Sequence, residues 1–310
     1  MEQGRRWPGL LEAIGVWSLF ALVALAILVT YSRLPAEVLY HTSGEGLDAG
    51  GSRALVFAGF PVALVAIPLA WIAVARIRTK LSAAAGALAT ILCVTVGFPG
   101  VIDQGDLDAR PVNVLAGTGA LLALGLTAWA FRRGGLGDSQ PFNRWDYARI
   151  VFAVVLVALA LPWIWAELGF YVDDTPVIGD PFIAKVVKPS LGGEPSFHAV
   201  HLGHHHGLDG ILLALAALLL SRVPSRMPRR GEGTGLAVYV ALLLTYGLAN
   251  ALQDGWNEQL VKRGTFESKL PSVIRPDLSP AWLGIVLGAA AIYFVLFRVG
   301  RVNRPEGVIR

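Results

Sequence analysis

Apolar runs of about twenty residues recur along the chain, each ended by a short segment carrying Arg, Asp, Pro or Gly. A helix needs about 20 mostly apolar residues to cross a bilayer. On that ruler the chain offers eight candidate spans: 13–32, 54–75, 81–98, 113–131, 149–168, 206–222, 235–253 and 281–298. The pattern predicts an all-α fold, a polytopic integral membrane helix bundle of about eight transmembrane helices, with residues 1–310 forming a single transmembrane domain. Pro61, Pro68 and Pro162 fall inside runs, where kinks are expected because neighbouring helices can satisfy the carbonyls that proline frees. The first run is long and lacks a small-residue cleavage site, so it is expected to stay as a helix.

Charge then orients the bundle. Seventeen of the 26 basic residues and six of the 22 acidic ones fall on the side that holds the N-terminus, a net of +11 against −7 on the other side. Short basic loops mark the cytoplasmic face, so both termini are expected inside (N-in/C-in), in a bacterial-type plasma membrane. The composition agrees, with 55% hydrophobic and only 15% charged residues. Membrane orientation accounts for the basic loops, and no nucleic-acid role follows from them. The single cysteine, Cys93, lies in an apolar run and excludes both a disulfide framework and a thiolate metal cluster.

The polar residues that charge balance does not explain concentrate in "EPSFHAVHLGHHHGLDGILLALAALLL", Glu194 to Leu220. Five of the six histidines fall between His198 and His206. Residues 168–205 read as an extracytoplasmic loop leading into a His-rich helix start, with Ser196 as N-cap and Phe197 opening the helix. At about 100° per residue His198, His201, His205 and Asp209 share an arc of roughly 80°, with His204 beside it. Imidazole nitrogens and a carboxylate at that spacing suit a transition metal, zinc first, with copper or iron as alternatives. A hydrogen-bonded, metal-free polar network is the bland reading of the same residues. The opposite side of this helix carries Ala199, Gly203, Gly207, Gly210, Ala214 and Ala217, a stripe that lets another helix approach closely.

A second polar stripe runs along the seventh span, where Tyr239, Tyr246, Asn250, Gln253 and Asn257 fall within about 60° of one another and Asp254 lies at the margin. Tyr246, Asn250, Gln253 and Asn257 are candidates for holding substrate or orienting the histidines. Asp254 and Glu258, with Glu167 at the end of the fifth span, are candidates for acid–base catalysis. Interhelical hydrogen bonding is an equally good account of the Asn and Gln residues. His41 reads best as a loop residue.

"HLGHH" (His201 to His205) resembles one box of the membrane fatty-acid desaturases, and "PSFH" with "HGLD" resembles motifs of phosphatidic-acid-type lipid phosphatases. The former need several boxes, whereas only His41 lies outside this run; the latter hold their motifs far apart. Neither family is adopted. The expectation is a metal-dependent membrane enzyme with its site on the outer face, a hydrolase or oxidoreductase acting on a lipidic or membrane-soluble substrate. Metal delivery, sensing or transport, and a structural subunit held by a polar interhelical network, are the alternatives. Membrane lipids, a lipidic or small-molecule substrate, and a membrane-protein partner or second copy are the expected partners.

Overall fold

The structure, a computed structural model, describes residues 10–35, 42–98, 108–137, 141–167, 187–188, 197–198, 207–261 and 266–299. Nine α-helices carry the described fold: α1 (Leu11–Arg33), α2 (Leu47–Phe57), α3 (Ala63–Ile77), α4 (Lys80–Val94), α5 (Pro111–Gly134), α6 (Arg144–Glu167), α7 (Gly207–Leu220), α8 (Arg230–Asp254) and α9 (Pro280–Tyr293). Two-residue strands, β1 (Val187–Lys188) and β2 (Phe197–His198), pair antiparallel.

Seven helical segments among the described residues are long and apolar enough to cross a membrane, against the eight expected. They match the predicted spans to within a few residues, except that α2 and α3 form one segment starting at Leu47, well before residue 54. The predicted fifth span corresponds to α6, which is not among the seven.

The all-helical bundle is apolar on the outside as well as within. Leu121 is 69% exposed, and Leu22, Val151 and Leu252 are similarly bare. The interior is built on α3, which is buried on nearly all sides and packs against α4, α5 and α8.

Proline shapes α3 as its chemistry requires. Pro61 sits in a π-helical turn, Ala58–Val62, that joins α2 to α3 and absorbs the missing N–H. Pro68 frees the carbonyl four residues earlier, that of Leu64, and the Tyr239 hydroxyl of α8 donates to it at 2.8 Å. The expected repair of a proline-freed carbonyl by a neighbouring helix is thus made by a tyrosine.

Two close approaches lock neighbouring helices. A Cβ added at Gly210 would meet the Gly247 carbonyl at 2.5 Å, and one at Gly247 would meet the Gly210 carbonyl at 2.5 Å. The small-residue stripe of α7 is therefore packed on α8. Gly119 of α5 lies against Cys93 and Ala89 of α4 in the same manner, and Cys93 is a buried packing residue.

At one end of the bundle the side chains assigned by charge to the inner face gather. Arg222 sits 3.7 Å from Glu12 and 3.2 Å from Asp146, Arg226 lies 3.8 Å from Glu12, and Arg149 pairs with Asp146 at 2.9 Å. Arg149 also donates to Ser221 Oγ at 2.7 Å. This network ties the starts of α1 and α6 to the end of α7. Nearby, Arg76 donates to the carbonyls of Gly134 and Gly135, fastening α3 to α5.

Candidate functional site

Away from that charged end, three helices send four polar side chains into the interior. Arg53 of α2 is 2% exposed, Asp209 of α7 3%, Asn250 of α8 1% and Asp254 of α8 3%. Arg53 Nε donates to the Tyr31 hydroxyl of α1 at 3.3 Å, and its guanidinium lies 5.7 Å from the centre of the Tyr31 ring. Arg53 interacts electrostatically with Asp209, and Asp209 in turn with Tyr246. Arg53 on α2 and Asp209 on α7 are both buried, and each would be costly to isolate from water without compensation.

Arg53 was not foreseen as part of a site. The apolar run predicts a second span from residue 54, which leaves Arg53 in the preceding loop. The helix begins at Leu47, so Arg53 lies nearly two turns inside it. The available signal was "LDAGGSRALVF", where small residues extend the apolar run upstream of the arginine.

A cavity of about 380 Å³ lies between α3, α8 and α9. Phe60, Leu64, Ile67, Leu243 and Trp282 supply apolar walls, and Tyr239 and Tyr246 supply the phenol groups. Ile274 and Pro276 also line it, from a segment strapped at three points to α8 and to the π-helical turn Gly255–Val261 that follows it. Tyr246 Oη donates to the Ile274 carbonyl at 2.8 Å. Asn257 makes a two-way pair with the Leu270 backbone, donating at 2.9 Å and accepting at 2.8 Å. Trp256 Nε1 donates to the Ser268 carbonyl at 2.8 Å, and its ring stacks on Phe266 at 4.7 Å.

The predicted stripe of α8 thus divides between tasks. Tyr246 and Asn257 hold the strap. Asn250 turns back on its own helix, donating to the Tyr246 carbonyl at 2.8 Å, next to the Gly210 contact. Asp254 is buried on the same side, and Gln253 Oε1 is buried without a hydrogen-bond partner among the described residues. α7 and α8 are neighbours, and they meet through the glycine seam.

The helix expected to open at Phe197 is corrected. Phe197 and His198 lie in β2, paired with Lys188 and Val187, and the described part of α7 begins at Gly207. An extended His198 cannot share a helical arc with Asp209. His201, His204, His205 and His41 lie outside the described residues, as do the side chains of Glu167 and Glu258. Among the described residues no group of three or more His, Cys, Asp or Glu is placed to hold a metal ion.

Residues 138–228, under a third of the chain, match the family model described as phosphoglucomutase/phosphomannomutase, alpha/beta/alpha domain III. No curated protein and no solved structure matches. The family match points away from a metal-dependent membrane enzyme on a lipidic substrate, and that expectation is withdrawn. With it go the extracytoplasmic His/Asp metal site and the multi-pass metalloprotein description built on it. A metal cofactor as such is compatible with that family, but the choice of zinc, copper or iron gains no support from it. Within the matched segment the described residues are helices α6 and α7, the short β1–β2 pair and the turn after α7.

Proposed function

We propose that this chain resides in a bacterial-type plasma membrane and binds a small apolar molecule in the cavity between α3, α8 and α9. The observation that carries the binding role is the cavity itself. Its volume of about 380 Å³ falls in the range of small-molecule sites, which are mostly apolar with a few placed polar groups. Tyr239 and Tyr246 are those groups. Both hydroxyls are committed to carbonyls, of Leu64 and Ile274, so a ligand meets mainly the faces of their rings. Trp282 adds a third ring, 5.6 Å from Tyr246. Flat or branched apolar molecules suit such walls better than charged ones. Support for membrane residence comes from the bare leucines and valines on the helix exteriors, a distribution that water would penalise.

Leu243 is buried and lines the cavity, so Leu243→Trp should fill it. Organic extracts of the purified chain, read by mass spectrometry against bulk lipid, should contain a discrete apolar molecule near one per chain. The variant should lose it while keeping its melting temperature within a few degrees. Equal amounts in both proteins, or none in the wild type after exposure to a membrane extract, would remove the proposal.

The family match favours a second reading, a hexose-phosphate site within residues 138–228. A rise in melting temperature with glucose or mannose phosphate, absent with the unphosphorylated sugars, would select it.

A further inference from the structure

We propose that a second groove, at the inner ends of α3, α4 and α8, holds an anionic glycerophospholipid. Its phosphate would sit on Arg78, Lys80 and Arg229, and one acyl chain would run along α4. This inference rests on the membrane residence proposed above. It is independent of what fills the Tyr246 cavity.

The groove has a volume of about 770 Å³ and two chemically distinct parts. Its floor is built from small side chains, Ala75, Ala83, Gly86, Ala87 and Gly235, which leave a channel instead of a ridge. Gly86 has no room for more, because a Cβ there would meet Val74 at 2.5 Å. From Lys80 to Ile91 the channel follows α4 for eleven residues, about 16 Å at 1.5 Å each, enough for most of an acyl chain.

The mouth is cationic. Arg78, Lys80 and Arg229 stand there with a single acid, Glu232, a net of +2. The Arg229–Glu232 contact is long, 3.7 Å, and Arg229 is 80% exposed, a pairing too weak to hold Arg229 away from an incoming phosphate.

Arg78 supplies an independent observation. Among the described residues it is the one non-glycine with positive φ (55°), at the left-handed position that ends α3. Glycine is the usual residue there, because a Cβ is crowded in that conformation. The Arg78 side chain donates to the Ala75 carbonyl at 3.1 Å, one groove residue to another. An arginine kept where glycine fits better indicates a use for its charge. Its position at the mouth of an acyl-sized channel indicates which use.

The test takes the full chain in detergent, stripped of lipid. Phosphatidylglycerol and phosphatidylcholine with identical chains are compared by native mass spectrometry or competition. The wild type should prefer phosphatidylglycerol. Arg78→Gly and Lys80→Gln should each cut that preference about fivefold, the equivalent of ~1 kcal/mol per cation near an anionic headgroup. Arg78→Gly should also melt no lower than the wild type, because it relieves the left-handed backbone, so a lost preference is separated from lost folding. Ala87→Trp should weaken both lipids alike by blocking the channel. Equal affinity of the wild type for the two lipids, or an unchanged preference in the double variant Arg78→Gly/Lys80→Gln, would overturn the proposal. Retention in alkali-washed membranes keeps the failures apart: a chain that stays but shows no preference defeats only the groove. A chain that washes out defeats membrane residence as well.

Discussion

Single residues in this chain are legible when their partner is dictated by covalent chemistry, and opaque when it is not. Pro68 is the first kind. Any proline in a helix orphans the carbonyl four residues back, so a donor near Leu64 could be expected from sequence, though not that Tyr239 would provide it. Tyr239→Phe should therefore destabilise the fold by roughly 1–3 kcal/mol, the cost of a buried carbonyl left unpaired. In a Pro68→Ala background the backbone N–H returns and the same substitution should cost much less. A double-mutant cycle on melting curves in detergent reads that coupling directly, and additive effects would reject it. Arg53 is the second kind, because its burial depends on other elements, among them α1, whose Tyr31 hydroxyl accepts from it. Arg53→Met alone should lower the melting temperature, because it removes the Tyr31 contact and a positive charge that favours the buried Asp209 carboxylate. Arg53→Met with Asp209→Leu should recover most of that loss, and a double variant no better than the single would show that the two residues are not coupled.

At the level of elements, periodicity and small-residue spacing carried well and helix starts did not. The stripe containing Gly210 and Ala214 predicted a tight seam, and the seam exists against Gly247 of α8. Gly210→Val should open it and lower the melting temperature strongly, because the added atoms would run into backbone that cannot turn aside. Gly284→Ala is the matched control: nothing lies within 4 Å of a Cβ there, so this helical glycine should be neutral or slightly stabilising on replacement. No helix opens at Phe197: Ser196 after a proline is a good local cap signal, but the strand contact to Val187–Lys188 leaves no local trace in the sequence. The same limitation hid the strap over the cavity. Asn257 and Tyr246 were legible as a polar face, but their targets, the backbones of Leu270 and Ile274, belong to a segment with no periodic signal at all.

For the molecule as a whole, charge was the most informative property of the sequence after hydropathy. Residues sorted to the inner face by the positive-inside rule meet in space: Glu12, Asp146, Arg149, Arg222 and Arg226 form one network although they are spread over more than 200 residues. A rule about translocation and a set of ion pairs are independent, so their agreement on a single end of the bundle makes the orientation worth testing directly. The chain suits such a test because its only cysteine, Cys93, is buried and can be replaced by alanine. In that background, Ser225→Cys lies beside the ion network and Ser268→Cys lies on the strap at the opposite end; both positions are exposed. A membrane-impermeant thiol reagent applied to intact cells should label residue 268 and leave residue 225 untouched until the cells are opened. Reversed labelling would invert the bundle and carry the Arg78 groove to the outer leaflet. Labelling of both sites in intact cells would break the link between the charge asymmetry and a bilayer, and the exposed leucines would then need a protein partner to cover them.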